Sequence, residues 1–420
     1  MTTQSVQSPI PQSAQQHVLH TRPLATPQTT PYKRKPSVKP AHTTNALEEH
    51  NVHFPEPFPL ECGAVLPGIT VRYHSSYGLH TGRKVVWICH ALTANSNPAD
   101  WWPTLVGAGK FFDPAKDFII CANVLGSCYG STQPDGPDFP VITIRDMVQA
   151  HEKLRALLGI DRIHLLIGGS SGGFQSVEWA VSHPHVCENL CLIACSAQIS
   201  PWATALNESQ RMALLADPTF RSPDSNGTAT SDKTATGIQP DSHMKPGTPN
   251  QGTSTIGQNN IETPTTTTPP GYNGLAAARS IALLSYRSYE GYCQTQAEKD
   301  ENVLTAGRAG SYQQYQGKKL ADRFCAYSYY TLTHSLDSHN VGRHRGGVPA
   351  ALSRIKARTL CLGIDSDLLF PLSEITYMAQ HIPDAQTGTL SSDFGHDGFL
   401  LEHEQITSQL CKFLNSEARP

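Results

Sequence analysis

The sequence predicts an α/β fold with a mostly parallel central sheet, and two observations support this prediction. Short apolar runs of strand length alternate along the chain with stretches that have helical spacing. Alternation of this kind is typical of a parallel sheet covered by helices on both faces. In addition, the apolar run 163–167 enters a turn rich in glycine and serine and continues as a stretch compatible with a helix.

The positions of the elements follow from the periodicity of the apolar residues. Strands are expected at residues 71–74, 84–89, 117–123, 163–167, 190–194, 358–364 and 387–390. Helices are expected at residues 143–158, directly after the glycine-rich turn, at 274–288 and at 399–413. Between about residues 201 and 342 the strand signals vanish and helical signals replace them, which predicts a helical insertion after a middle strand.

Two low-complexity stretches divide the chain. Residues 1–47 are rich in Gln, Ser, Thr and Pro and contain no acidic residue, so we expect a disordered leader there. This composition is also compatible with an organelle transit peptide, although the prolines disfavour the amphipathic helix of such a peptide. A second stretch, at about 221–271, is predicted to be a disordered insertion within a helical lid at 201–342. The main α/β domain is then formed by 48–200 and 343–420.

Composition excludes several classes of protein. The 420 residues carry a formal net charge of −3 with no broad basic excess, which argues against a nucleic-acid-binding surface. No apolar run approaches the roughly 20 residues of a membrane-spanning helix, and no signal-peptide core follows the N-terminus. The 11 cysteines include no C-x-x-C pair, and several lie inside apolar runs. We therefore expect buried free thiols, a reducing compartment and a cytoplasmic location.

The glycine-rich turn matches the G-x-S-x-G nucleophile elbow, in which a tight strand-to-helix turn exposes a serine at the top of an α/β-hydrolase sheet. Glycines flank the serine because a side chain there would clash where strand and helix nearly touch. The motif therefore predicts the α/β-hydrolase fold. It fits two registers, 168–172 with Ser170 as the nucleophile and 169–173 with Ser171, and the spacing leaves both open.

A serine hydroxyl becomes an effective nucleophile when a histidine takes its proton and a carboxylate orients that histidine. On this fold the order along the chain is serine, then Asp or Glu, then histidine. The predicted strand 358–364 is followed by Asp365 and Asp367, and His396 lies in a glycine-flanked turn before the last predicted helix. An oxyanion hole further needs two backbone N–H groups, one after the nucleophile and one from the loop 90–95.

No metal site is expected. The only histidine group of interest, His334, His339 and His344, is predicted to lie in a polar loop together with Arg343 and Arg345. The positive charges of these two arginines would repel a metal ion.

Several longer blocks of sequence resemble the homoserine O-acetyltransferase family, which are acyl-CoA-dependent enzymes of methionine biosynthesis with the α/β-hydrolase fold. Asn-Val-Leu-Gly at 123–126 and Tyr-Gln-Gly-Lys at 315–318 are its more specific motifs. Further matching blocks are 89–93, 127–132, 143–147, the elbow with Gln175 and 178–180, 207–211, 274–279, 365–371 and 395–397. Together they span most of residues 60–415 outside the low-complexity insertion.

The resemblance implies a role for each candidate in the reaction centre. The family pattern Gly-Gly-Ser-Met-Gly-Gly places the nucleophile at Ser170, and this chain departs from it by carrying Ser171 where the family has methionine. The family acid corresponds to Asp367 rather than Asp365, and the family base corresponds to His396. The oxyanion donors would be the backbone N–H groups of Leu92 and Ser171.

The resemblance also implies an amino-acid site. The family binds the homoserine carboxylate through an arginine with a tyrosine nearby, and binds the amine through an acidic residue beside the catalytic histidine. These residues correspond to Arg279, Tyr286 and Asp397. Arg279 and Tyr286 are seven residues apart on the predicted helix 274–288, so both side chains can point at one ligand. A guanidinium holds a carboxylate with two parallel hydrogen bonds, which orients the ligand as well as binding it.

The expected activity is transfer of an acetyl group from acetyl-CoA to L-homoserine through an acyl-serine intermediate, with no cofactor besides the acyl donor. Within the family, a succinyl donor or a serine acceptor remains an alternative. Outside it, an esterase on the same scaffold and a non-catalytic scaffolding protein are the other hypotheses. Family members are usually homodimers that associate through the lid helices, so a homodimer is also expected.

Overall fold

A computed structural model describes residues 46–221 and 268–416 of the chain. These residues belong to one compact unit, Thr44–Pro420. Almost all of the predicted leader and of the predicted insertion at 221–271 lie outside the described residues. The boundary of the leader at residue 47 was wrong by one position, because the first strand already begins at Leu47.

The described residues form ten strands, eight of which make the central sheet, and twelve α-helices. The strands are β1 (Leu47–Phe54), β2 (Phe58–Pro59), β3 (Val65–Leu66), β4 (Ile69–Ser76), β5 (Lys84–Cys89), β6 (Asp117–Ala122), β7 (Ile163–Gly169), β8 (Cys187–Ile193), β9 (Arg358–Ile364) and β10 (Ala385–Leu390). The first helices are α1 (Pro98–Trp101), α2 (Ile144–Leu157) and α3 (Ser171–Ser182). The remaining helices are α4 (Pro201–Leu215), α5 (Tyr272–Tyr286), α6 (Tyr289–Gln296), α7 (Arg308–Ala321), α8 (Ala326–Asp337), α9 (Val348–Leu352), α10 (Leu372–His381), α11 (Gly398–Leu401) and α12 (His403–Asn415).

The central sheet has the strand order β1-β4-β6-β5-β7-β8-β9-β10. The strands from β6 to β10 pair in parallel, whereas β1 pairs antiparallel with β4 and β4 pairs antiparallel with β6. The predicted fold class, an α/β-hydrolase fold with a mostly parallel sheet, is therefore confirmed. Because parallel strands end at the same edge, the loops after β5, β7, β9 and β10 meet there.

Alternate side chains of the sheet enter two hydrophobic cores. Leu166 of β7 packs in one core with Trp87 and Trp179, whose ring centroids lie 4.9 Å apart. Leu165 belongs to the other core, into which Phe413 of α12 is buried. Complete burial of such apolar side chains contributes about 1.5–3 kcal/mol each to folding. Helices therefore cover the sheet on both faces.

The structure corrects two predicted helices and adds one strand. The predicted helix 399–413 is two helices, α11 and α12, because the backbone at Glu402 leaves helical geometry (φ −85°, ψ 55°). The predicted helix 274–288 ends at Tyr286, and Arg287 is extended. Strand β1 was not predicted, because its residues are mostly polar and half-buried.

The part of the chain between β8 and β9 is helical in its described residues. Helices α4 to α8 all lie within 201–342, as expected, and no strand of this sheet begins there. Its function as a lid stays a prediction. In the described residues no helix combines the length and the apolar character needed to cross a membrane.

Hydrogen bonds join the two described segments on either side of residues 222–267. The Gly271 N–H donates to Thr219 Oγ1 at 2.9 Å, and the Gly274 N–H donates to Asp217 Oδ2 at 2.9 Å. A side chain at Gly271 would collide with the Phe220 ring, at 2.7 Å. The end of the α4 segment and the start of α5 therefore form one closed joint.

Candidate active site

The turn between β7 and α3 holds Ser170 in an unusual backbone conformation, with φ 56° and ψ −127°. A Cβ atom on Gly168 would lie 2.2 Å from the Gly172 oxygen, and one on Gly172 would lie 2.1 Å from the Cys89 oxygen. The two glycines are therefore required because strand, helix and the neighbouring strand β5 touch at this turn. Strain of this kind at a non-glycine residue is typical of functional sites.

Ser170, His396 and Asp367 form a continuous hydrogen-bonded chain. Ser170 Oγ lies 2.8 Å from His396 Nε2, and His396 Nδ1 lies 2.7 Å from Asp367 Oδ2. Because a carboxylate can only accept, Nδ1 carries the proton of the neutral imidazole and Nε2 accepts from the serine hydroxyl. The structure thus brings Ser170 to the imidazole, rather than Ser171, although the elbow motif alone fitted both.

The acid beside the imidazole is Asp367, not Asp365. Asp367 Oδ1 accepts the backbone N–H groups of Leu369 at 2.8 Å and Phe370 at 3.0 Å, which hold the carboxylate in place. Asp365 instead accepts the Ser392 N–H at 3.1 Å and supports the loop after β10. The two candidate carboxylates therefore have different roles: Asp367 contacts the imidazole, and Asp365 holds the loop that carries it.

Opposing influences set the pKa of His396. Burial disfavours the charged imidazolium, but the negative charge of Asp367, its hydrogen bond and the charge of Asp397 outweigh burial. The pKa of His396 is therefore raised above its usual value of 6.5. An imidazole of raised pKa is a stronger base toward a hydroxyl.

Two candidate backbone donors lie near Ser170. Ser171 directly follows it as the first residue of α3, and Leu92, from the loop after β5, lines a small cavity together with Ser170 and Ser171. Neither backbone N–H donates a hydrogen bond to any residue that the structure describes. Both groups, expected from the sequence as oxyanion donors, therefore remain available to a negatively charged oxygen near Ser170.

Ser170 lies in a pocket of about 390 Å³ that also contains the expected amino-acid-binding residues, Arg279, Tyr286 and Asp397, and His396. The Arg279 guanidinium carbon lies 5.2 Å from the centre of the Tyr286 ring, and the Tyr286 ring centre lies 5.7 Å from that of His396. Arg279 is half-buried, and it makes no ion pair with the acidic residues that the structure describes. The pocket therefore offers an unpaired cation beside the nucleophile.

Asp397 has a partner that was not expected from the sequence. Arg287 Nε lies 3.0 Å from Asp397 Oδ2. Burial raises the pKa of Asp397, while the charges of Arg287 and Arg279 act in the opposite direction and do not fully cancel the effect of burial. Asp397 therefore sits between two arginines and the imidazole.

Three pocket or pocket-adjacent residues carried no recognised role in the sequence: Arg287, Tyr129 and Arg323. Arg287 directly follows Tyr286 but contacts a residue from the other end of the fold, which no local pattern signals. Tyr129 lies in the matching block 127–132, which directly follows the specific motif at 123–126, and this was the one available hint. Arg323 meets Tyr129 only in the folded chain.

The histidine group has a different setting from the polar loop that was expected. His334 lies in α8, and His339 is buried, stacked on Phe174 with ring centres 4.0 Å apart. Burial lowers the pKa of His339 to about 3. Among residues 46–221 and 268–416, no group of three or more His, Cys, Asp or Glu side chains could hold a metal ion.

Comparisons with known proteins agree with this geometry. The family model of the alpha/beta hydrolase fold matches residues 84–237. A homoserine O-acetyltransferase of Cyclobacterium marinum is 39% identical over 383 residues, which cover 89% of this chain and 97% of that protein. A homoserine O-acetyltransferase of Trichormus variabilis is 37% identical, over 87% of this chain and 93% of that protein. The crystal structure of homoserine O-acetyltransferase from Staphylococcus aureus matches with a TM-score of 0.67 at 26% identity, covering 89% of this chain and 96% of that one.

Proposed function

The chain belongs to the homoserine O-acetyltransferase family, and we propose that it transfers the acetyl group of acetyl-CoA to the hydroxyl of L-homoserine in methionine biosynthesis. The family resemblance predicted from the sequence motifs is confirmed. One observation carries the activity: the Ser170–His396–Asp367 chain shares a pocket with the unpaired guanidinium of Arg279. The first group supplies a nucleophile, and the second supplies a grip for a carboxylate.

In the first half-reaction, Ser170 Oγ attacks the thioester carbonyl while His396 Nε2 takes the serine proton. The resulting oxyanion is stabilised by the backbone N–H groups of Leu92 and Ser171. The C–S bond then breaks, and the imidazolium returns its proton to the departing thiolate. Free CoA leaves and an acetyl ester remains on Ser170. Asp367 stabilises the imidazolium throughout, without taking its proton.

In the second half-reaction, the homoserine hydroxyl attacks the acetyl-serine while His396 again takes a proton. Collapse of the intermediate releases O-acetylhomoserine and returns the proton to Ser170. Water, at about 55 M, competes for the same ester, so the acceptor must be held in line with it. Orientation of a bound reactant can be worth roughly 7–11 kcal/mol, which is ample to favour transfer over hydrolysis.

Arg279 and Asp397 would supply that orientation. Arg279 would hold the homoserine carboxylate with two hydrogen bonds, and Asp397 would accept a hydrogen bond from the amine. Tyr286 would form the wall between them. Gripping both charged groups of the amino acid leaves its hydroxyl free to approach Ser170.

The test is to supply acetyl-CoA with and without L-homoserine and to follow both free thiol and O-acetylhomoserine. We expect homoserine to accelerate thiol release, with one product ester formed per thiol. Equal thiol release in both cases would show a thioesterase instead. The Arg279→Gln variant should lose about 100-fold in kcat/KM for homoserine, since a charge-assisted bidentate contact is removed. With 3-amino-1-propanol, which lacks the carboxylate, wild type and variant should react at similar rates.

We further propose that the reaction needs no cofactor, because Ser170 and His396 account for every bond and proton transfer. Full activity in the presence of EDTA is expected. Eleven free cysteines support a reducing, cytoplasmic compartment. A homodimer through the lid helices is supported by exposed apolar side chains on three packed helices, Met212 (63% exposed), Leu284 (59%) and Tyr315 (59%). Light scattering should give twice the mass of one chain, and Leu284→Glu should shift it toward the monomer.

A further inference from the structure

The pocket that contains Ser170 also has an outer group of lining residues that acetyl transfer does not use. This outer group consists of Asn95, Asp100, Trp101, Tyr129 and Arg323. They come from the loop after β5, from α1, from the loop after β6 and from the connection between α7 and α8. Four separate parts of the chain therefore converge on this group of residues in the reaction pocket.

Arg323 is an exposed cation whose position is fixed from one side. Its Nη1 donates to the Thr93 carbonyl oxygen at 2.8 Å and to the Tyr129 hydroxyl at 2.5 Å. The Tyr129 ring in turn packs edge-on against Phe324, with centroids 5.5 Å apart. The guanidinium is thus held in one orientation, which reduces the entropy lost when it binds a ligand.

The other edge of this guanidinium is unused. Arg323 Nε and Nη2 donate no hydrogen bond to the residues that the structure describes, and Arg323 forms no ion pair with them. The Nε and Nη2 groups of an arginine form a fork that matches two oxygens of a phosphate. The nearby acid in the outer group, Asp100, accepts the side-chain amides of Asn95 and Asn97, at 3.0 and 2.9 Å. Its oxygens are therefore engaged with neutral donors.

We propose that Arg323 binds a phosphate group of the acyl donor, which makes the outer group a site for the phosphorylated part of a thioester substrate. The inference rests on the proposed function, because that function requires the thioester to reach Ser170. A contact far from the reacting bond contributes binding energy that positions the thioester. Donors without a phosphate would therefore react less efficiently than acetyl-CoA.

A structural role for Arg323 makes a different prediction. If its hydrogen bonds to Thr93 and Tyr129 only held the pocket wall together, removing the side chain would impair all acyl donors alike. A phosphate-binding role affects only those donors that carry the phosphate. The comparison between donors therefore separates the two roles.

The experiment measures thiol release in the first turnover, which needs no homoserine, for four donors. These are acetylpantetheine, acetyl-4′-phosphopantetheine, acetyl-dephospho-CoA and acetyl-CoA. We expect Arg323→Gln to lower kcat/KM for acetyl-CoA about tenfold relative to acetylpantetheine. The first donor in the series to show this loss identifies the phosphate that Arg323 contacts. Arg323→Lys, which keeps the charge but not the fork, should show an intermediate loss.

Lys319→Gln is the matched control, because Lys319 is an exposed cation on α7 outside the pocket lining. Its removal should leave the ratio between the donors unchanged. An equal loss for all four donors, or no loss for any, would overturn the proposal. If Arg323→Gln does not fold, the wild-type protein still tests the phosphate contact. Raising the salt concentration should lower kcat/KM for acetyl-CoA more than kcat/KM for acetylpantetheine. Rapid thiol release without transfer to homoserine would instead contradict the proposed function alone.

Discussion

Arg287 and Asp397 form an ion pair, with Nε 3.0 Å from Oδ2, that joins the end of α5 to the neighbour of the imidazole. Residues next to this ion pair in both segments also contact each other. Gly395 packs against the backbone of Arg287, where an added Cβ would lie 2.8 Å from its carbonyl carbon, and Ser288 Oγ donates to the Asp393 carbonyl oxygen. The segment between α5 and α6 therefore interlocks with the loop that carries His396.

This ion pair predicts that Arg287 affects acceptor binding. Without Arg287, the buried Asp397 carboxylate loses one of the two cations that oppose the rise of its pKa. Arg287→Gln should therefore reduce kcat/KM for homoserine about tenfold, while the rate of first-turnover thiol release changes less. Arg287→Lys should recover part of the loss. An unchanged kcat/KM for homoserine would show that Asp397 needs no support from α5.

The charge of Asp397 also predicts a shift in the pH profile. A negative neighbour stabilises the imidazolium, so Asp397 contributes to the raised pKa of His396. Because only the neutral imidazole accepts the serine proton, activity falls on the acid side as pH drops through this pKa. Asp397→Asn removes the negative charge, so the pKa of His396 should fall and the acid limb should move to lower pH.

First-turnover thiol release is the appropriate measurement for this variant, because it does not depend on homoserine binding. Asp393→Asn is the control, since Asp393 is exposed, lies three residues before His396 and is not among the groups that shift its pKa. Its profile should match that of the wild type. An acid limb of Asp397→Asn that stays in place or moves to higher pH would contradict the assignment.

The hydrogen bond between Ser170 and His396 predicts where the acetyl group attaches. Mass spectrometry after exposure to acetyl-CoA should find the adduct on the peptide at Ser170. Ser170→Ala should abolish the adduct and reduce kcat by at least about 10⁴-fold. Ser171→Ala keeps the backbone N–H and should retain the adduct on Ser170. An adduct that persists in Ser170→Ala and disappears in Ser171→Ala would reverse the assignment.

Replacing glycine by alanine should have opposite effects at the crowded elbow and at an exposed helix position. Gly172→Ala would place a Cβ 2.1 Å from the Cys89 backbone oxygen, which cannot move without shifting β5. We expect a loss of about 3 kcal/mol or more in the free energy of unfolding. Gly310→Ala, in α7, meets no atom within 4 Å and should add about 0.5–1 kcal/mol. Thermal denaturation of both variants tests this, and equal effects would contradict it.

Local patterns predicted most of the central sheet. Strand β5 was predicted with its observed bounds, and β7 was found within two residues, because both are short apolar runs. Strand β1 escaped prediction because its pairing with β4, rather than its own hydrophobicity, makes it a strand. The break at Glu402 was also missed, since apolar spacing continues across it.

The reaction centre was predictable for a related reason. Chain order and the glycine motif identify the serine and the histidine, although these residues are 226 positions apart. The choice of Ser170 over Ser171 required either the family pattern or the fold, because spacing is identical for both. Arg287 and Arg323 had no local signal at all, since each gains its significance from residues that only the tertiary structure brings near.

The closed joint between Asp217–Phe220 and Gly271–Gly274 has a practical consequence for engineering the protein. The hydrogen bonds of this joint connect described residues on either side of 222–267, so these flanking segments hold the end of α4 against the start of α5 by their own contacts. We therefore expect the protein to fold when this tract is replaced by a short glycine–serine bridge, or when it is opened to create new N- and C-termini in a circular permutant. We also expect a reporter domain inserted at the same position to be tolerated, because the hydrogen bonds of the joint lie outside the insertion point.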